Sequence, residues 1–148
     1  MTSPRDRSRW IGALAGLVPA GAVATLFAVS GSRAAPDQVV ASLTWTAAIA
    51  TVAGWIAGPV AVSEPRRLIR SSFAYAVAVI GTWTAWSIAQ AGAQAIADDG
   101  LDIGTLLEAI GGRGAYSLVS AAYLLIPAVA MGSVWSVVAH TLGRRSSR

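Results

Sequence analysis

The sequence predicts an all-α membrane protein in which four transmembrane helices form a bundle. Only 12% of its 148 residues are charged and 55% are hydrophobic, whereas soluble domains carry about 25% charged residues. The apolar residues are gathered between charges into four blocks, at 10–32, 38–63, 71–97 and 114–143. Each block exceeds the ~20 residues that a helix needs to cross a hydrocarbon core of ~30 Å.

Each block is expected to be helical, because lipid offers the backbone no hydrogen-bonding partner and the chain must satisfy its own amide groups. Pro19 in the first block and Pro127 in the fourth each remove one helical hydrogen bond, which predicts a kink at each position. The whole chain, 1–148, is predicted to be a single transmembrane domain. Its four spans are placed at approximately 10–31, 39–62, 72–96 and 115–141.

The distribution of arginine predicts the orientation of these spans. All eleven basic residues are arginine, and with four spans nine of them share the side that holds both termini and the loop between the second and third spans. Basic loops stay in the cytoplasm, so both termini are predicted to be cytoplasmic. A chain rich in alanine and arginine but without lysine is typical of a GC-rich bacterial genome. The predicted location is therefore the bacterial cytoplasmic (inner) membrane.

The first block has a second interpretation, which the sequence leaves open. A basic start, an apolar run and the small residues around Arg33 resemble a signal peptide with its cleavage site. The apolar run is longer than the usual ~7–15 residues, however. Cleavage would also leave three spans with the new N-terminus outside. A retained first helix is favoured for these reasons.

The second outer loop, 98–113, is predicted to hold a short interfacial helix. Asp102 is suited to cap its N-terminus, and Gly111 with Gly112 is predicted to end it. Aliphatic residues recur at spacings of three and four, which would lay one apolar face on the outer membrane surface. They are Ile103, Leu106, Leu107 and Ile110.

Small residues at four-residue spacing predict close helix packing in the first span. A ridge of small side chains allows the backbones of two helices to approach closely, which favours association in lipid. The same pattern also arises by chance in an alanine-rich chain, but packing is favoured here. The partner is another span, a second copy of the chain or another membrane protein. The predicted packing residues are Gly12, Gly16, Ala20 and Ala24.

A polar and aromatic stripe on the third span is the one candidate for a ligand-binding face. Tryptophan at mid-span is unusual, since this residue is normally enriched at the membrane interfaces. The stripe is predicted to face the bundle interior, because its amide and indole groups need partners in hydrocarbon. It serves either as hydrogen-bonding contact between helices, which is favoured, or as the wall of a pocket for a lipid, quinone or other amphipathic ligand. Its members are Trp83, Trp86, Ser87, Gln90 and Gln94.

Catalytic and metal chemistry find little support in the sequence. The chain has no cysteine and a single histidine, His140, which falls in the last turn of the fourth span. We therefore expect no metal, no cofactor and no enzymatic activity. The arginines that orient the spans account for the net charge of +4. Nucleic acid is therefore not an expected partner.

The expected function is stated by class. The favoured hypothesis is an integral inner-membrane protein that acts as an accessory subunit, a scaffold or a small-ligand-binding helical bundle. The alternative is a small transporter or channel subunit that acts as an oligomer. The lipid bilayer is the expected environment, and another membrane protein or a second copy of the chain is the expected partner.

Overall fold

The computed structural model describes residues 3–29, 36–63, 68–100 and 102–146, and these residues form four α-helices. The predicted all-α class is thus confirmed for the described residues. The helices are α1 (Pro4–Val29), α2 (Pro36–Ser63), α3 (Leu68–Asp99) and α4 (Ile103–Ser146).

Three helices are long and apolar enough to cross a membrane. The segments that meet this condition are Asp37–Ala61 in α2, Leu68–Asp98 in α3 and Leu125–Arg145 in α4. By length and composition, these three helices are compatible with a membrane protein. The described part of α1 is not among them, so the first span and the count of four spans stay predictions.

Side-chain caps mark where α1 and α4 begin. The Ser3 hydroxyl accepts the backbone N–H of Asp6 at 3.2 Å and donates to the Asp6 carboxylate at 2.7 Å. At the start of α4, the Asp102 carboxylate accepts the backbone N–H of Thr105 at 2.9 Å and the Thr105 hydroxyl at 2.7 Å. These hydrogen bonds lower the pKa of the Asp102 carboxyl, the backbone one most strongly. The predicted Asp102 cap is therefore present.

The predicted end of a helix at Gly111 and Gly112 is wrong, because α4 continues through both glycines. Its full length is 44 residues. The chain reverses earlier, where Gly100 has a φ of 71° between α3 and α4. Two of the aliphatic residues assigned to a separate interfacial helix pack against α3 instead. Leu106 and Ile110 lie 3.6 Å and 3.9 Å from the position of a Cβ on Gly92. Beyond the two glycines, Gly114 also faces α3, where a Cβ would lie 3.9 Å from Ile88, so α4 packs on α3 both before and after them. Each glycine costs the helix about 1 kcal/mol.

The helices pack as two antiparallel pairs. The most extensive contacts join α1 with α2 and α3 with α4, and smaller ones join α2 with α3 and α1 with α4. Between the described parts of α1 and α3 there is no close approach, so these two helices lie diagonally opposite. The start of α1, the end of α2, the start of α3 and the end of α4 consequently share one end of the molecule.

Glycines bring the backbones of α1 and α2 into direct contact. A Cβ added to Gly12 would collide with the carbonyl oxygen of Gly54 and lie 2.6 Å from the Gly58 Cα. A Cβ added to Gly16 would collide with the Ala50 carbonyl. The structure thus places the first half of the predicted small-residue ridge against α2. Further along the ridge, Ala20 is buried and Ala24 is half-buried.

The contact between α3 and α4 is built in a similar way. Gly132 faces the backbone of Ser72, where a Cβ would leave no room. One turn away, the hydroxyls of Ser71 and Ser136 share a hydrogen bond of 2.5 Å. Small side chains therefore set the spacing of both helix pairs, as they do where helices associate in lipid.

Trp135 links the two helix pairs at the centre of the core. Its side chain is 0% exposed, and its indole N–H donates to the Gly12 carbonyl oxygen at 2.9 Å. Its ring stacks on Tyr75 of α3, with the ring centroids 4.6 Å apart. The other members of this core are alanines on α1, α2 and α4, namely Ala15, Ala53, Ala57, Ala61 and Ala139.

Candidate ligand-binding cavity

A partly open cavity of about 260 Å³ lies among the four helices. On α3 its wall is one face of the helix, with residues 75, 79 and 83 at four-residue spacing. The remaining helices each contribute three residues. The lining residues are Pro19, Ala20, Val23, Thr46, Ile49, Ala50, Tyr75, Val79, Ile80, Trp83, Pro127, Ala128 and Met131.

The internal prolines of α1 and α4 both lie at this cavity. Pro19 lines it from α1 and Pro127 lines it from α4, and the two helices continue through them. A proline ring displaces the carbonyl four residues earlier and removes one hydrogen bond of the helix. Prolines are the commonest cause of kinks in helices, so Pro19 and Pro127 place irregular backbone beside the cavity. The cavity begins beside Ala50, next to the point where α1 and α2 are in backbone contact.

The walls are almost entirely apolar, and the few polar groups are well defined. The Thr46 hydroxyl donates to the Ser42 carbonyl oxygen at 2.8 Å, so it has no proton to donate to a ligand. Tyr75 is 1% exposed, and its hydroxyl makes no hydrogen bond with another described residue. Trp83 is half-buried. No lining residue carries a charge, so the cavity suits an uncharged molecule with a large apolar surface.

The structure divides the predicted stripe of α3 among three surroundings. Trp83 lines the cavity. Trp86 stacks on Trp45 of α2, with the ring centroids 3.8 Å apart, and Ser87 is half-buried. Gln90 and Gln94 are both exposed, and neither makes a hydrogen bond with another described residue. Only the N-terminal end of the stripe therefore reaches the cavity.

Most of the cavity wall has no signal in the sequence. Tyr75 shares a helix face with Trp83 and is recognisable as an inward extension of the stripe. The contributions of α1, α2 and α4 consist of alanine and aliphatic residues that resemble the rest of their spans. The useful signal was the pair of mid-span prolines, because each predicts a local departure from regular packing.

Among the described residues no group of three histidine, cysteine, aspartate or glutamate side chains is placed to hold a metal ion. Comparison with protein-family models, with curated proteins and with solved structures finds no match to this chain. The proposed function therefore rests on the cavity and on the arrangement of the helices around it.

Proposed function

We propose that this protein is an integral membrane protein that binds a small, uncharged and largely apolar ligand between its helices. The observation that supports this function is the cavity of about 260 Å³ with apolar walls. An apolar cavity of ~150 Å³ is sufficient to hold benzene and excludes water. The space between the helices is therefore large enough for a substituted aromatic ring or for part of a lipid chain.

The position of the cavity along the helices supports a ligand that arrives from the membrane. Its lining residues on α2, α3 and α4 all fall within the three segments that are long and apolar enough to cross a membrane. Apolar molecules concentrate in the hydrocarbon phase, and the cavity is partly open. A ligand would thus enter from the bilayer and not from water.

We further propose that the protein lies in a bacterial inner membrane with both termini in the cytoplasm. Six described arginines lie at the end of the molecule where α1 and α3 begin and α4 ends. One of them, Arg9, lies over the ring of Trp55, 4.4 Å from its centroid. The six described arginines at this end are Arg5, Arg7, Arg9, Arg70, Arg144 and Arg145. Four other arginines of the chain lie outside the described residues, namely Arg33, Arg66, Arg67 and Arg148.

Cysteine labelling tests this orientation cleanly, because the chain has no cysteine of its own. In intact cells, Ser147→Cys should resist a membrane-impermeant thiol reagent and Asp98→Cys should react with it. After lysis both should react, which shows that each thiol is accessible. Labelling of Ser147→Cys in intact cells would contradict the proposed orientation.

Ligand binding is expected to disappear when the cavity is filled. The probe is α-methylstyrene, an uncharged aromatic hydrocarbon, and the measurement is the midpoint of thermal unfolding in mild detergent. A site that binds the probe stabilises the folded state by about 2.7 kcal/mol at 100 times Kd. The wild-type midpoint should therefore rise with probe concentration. Val79→Phe replaces a small aliphatic side chain at the cavity wall with an aromatic ring. The ring should occupy the space of the probe and abolish this rise.

Val77→Phe is the matched control, since it makes the same change on the same helix at a side chain that is 52% exposed. This variant should retain the full response to the probe. Without the probe, both variants should unfold near the wild-type midpoint. An equal response in all three proteins would show that the probe acts through the micelle, and the proposed function would then be wrong.

A further inference from the structure

We infer that the ligand carries a hydrogen-bond acceptor, such as the oxygen of a ketone, ester or quinone carbonyl, and that the Tyr75 hydroxyl donates to it. This inference rests on the proposed function and names the chemical class of the ligand. It follows from the burial of Tyr75 and from the way its ring is held.

The phenol ring of Tyr75 is fixed in place before any ligand binds. It stacks on Trp135 at an interplanar angle of 16°. Trp135 is itself held by the hydrogen bond from its indole N–H to the Gly12 carbonyl oxygen. A donor that is already oriented loses little entropy when it meets an acceptor. The structure thus presents Tyr75 to the cavity as an oriented side chain.

The hydroxyl of this ring lacks a partner among the described residues, although the side chain is 1% exposed. Folded proteins satisfy the large majority of buried polar side-chain atoms, because an unsatisfied one costs about 1–3 kcal/mol. A protein that keeps a tyrosine at this position instead of phenylalanine retains a polar group that its own chain does not use. An acceptor on the ligand would satisfy it.

Water is a poor substitute for that acceptor. A buried water molecule needs two to four polar partners. Besides Tyr75, the lining side chains that carry nitrogen or oxygen are Thr46 and Trp83. The Thr46 hydroxyl donates its proton to Ser42 and can only accept a further hydrogen bond, and the Trp83 indole can only donate one. Trp83 lies eight residues from Tyr75, about 12 Å along the helix axis. A ligand with a carbonyl group on an apolar body meets both requirements. Its carbonyl oxygen accepts the hydrogen bond from the hydroxyl, and its apolar part fills the cavity.

The charge of the ligand follows from the same surroundings. No lining side chain is basic or acidic, and an isolated ion in such a cavity would lose its hydration without compensation. A carboxylate or phosphate head is therefore a poor fit at this position. A neutral carbonyl oxygen accepts one hydrogen bond at a much lower desolvation cost.

A pair of probes with the same shape isolates the hydrogen bond. Acetophenone carries a C=O group where α-methylstyrene carries C=CH₂, and Tyr75→Phe removes the hydroxyl while it keeps the ring. In the variant, the affinity for acetophenone should fall about three- to tenfold, the loss expected for one hydrogen bond. The affinity for α-methylstyrene should be unchanged or slightly higher. Both affinities are measured from the dependence of the unfolding midpoint on probe concentration.

A spectroscopic measurement on the wild-type protein gives the same information without a variant. The infrared C=O stretch of bound acetophenone should lie at lower frequency than that of acetophenone in empty micelles. An unshifted stretch would overturn the inference. So would an acetophenone affinity that Tyr75→Phe leaves unchanged while α-methylstyrene still binds. Failure of α-methylstyrene itself to bind the wild-type protein would instead remove the proposed function.

Discussion

Replacing Gly12 with alanine is expected to lower the free energy of unfolding by about 3 kcal/mol or more, at the upper end of what overpacking costs. The added Cβ would collide with the Gly54 carbonyl oxygen and lie 2.6 Å from the Gly58 Cα. Both are backbone atoms, so neither can rotate out of the way and the two helices must separate. Alanine is the better helix former by about 1 kcal/mol, so helix propensity alone would stabilise the variant. A lower free energy of unfolding would therefore show that the two backbones are in contact. Thermal unfolding in mild detergent measures the effect.

Gly21→Ala is the matched control for this change. Gly21 lies on the same helix, and a Cβ added there meets nothing within 4 Å. The control should unfold at the wild-type midpoint or slightly above it, because it gains helix propensity without a collision. If Gly12→Ala and Gly21→Ala behaved alike, the backbone contact between α1 and α2 would be refuted.

The contact at Gly12 shows which features of this fold can be predicted from the sequence. Four-residue spacing of small residues is a local pattern, and it identifies the face of α1 that meets α2 at Gly12 and Gly16. The pattern continues to Ala20, but Pro19 intervenes and Ala20 lines the cavity instead. Spacing therefore indicates which face packs, and it does not indicate where along the helix the packing ends.

The helix that continues through Gly111 and Gly112 shows a second limit. Two adjacent glycines are a strong local signal for the end of a helix. Tertiary packing overrides the signal, since Leu106 and Ile110 pack against Gly92 of α3, which lies 14 and 18 residues earlier in the sequence. Tertiary contacts of this kind are not visible in a local pattern.

The cavity could be predicted only in part, because its walls come from all four helices. The predicted stripe on α3 includes Trp83, which lines the cavity, and also Gln90 and Gln94, which are exposed. A helix face is a matter of periodicity, whereas burial depends on how far the neighbouring helices extend. The sequence contains the first kind of information and not the second.

Trp135 is the residue for which the structure adds most, and its truncation is the second large effect that we expect. No pattern in the sequence identifies it, whereas Trp83 and Trp86 belong to the stripe on α3. Its position is unlike that of Trp10, which is 62% exposed, because Trp135 is 0% exposed and contacts both helix pairs. The core around it consists largely of alanine, so a cavity left by its removal cannot be filled by neighbouring side chains.

Trp135→Ala should therefore lower the free energy of unfolding by about 3–5 kcal/mol, the range for a large buried aromatic residue. Trp135→Phe separates the two contributions, because it keeps a ring for the stack on Tyr75 and loses the hydrogen bond to the Gly12 carbonyl. Its cost should be smaller by at least a factor of two, since one hydrogen bond contributes about 1 kcal/mol. Trp10→Ala, at an exposed side chain, should cost less than about 1 kcal/mol. Thermal unfolding of the three variants in one detergent ranks them, and equal midpoints for Trp135→Ala and Trp10→Ala would contradict the central position of Trp135.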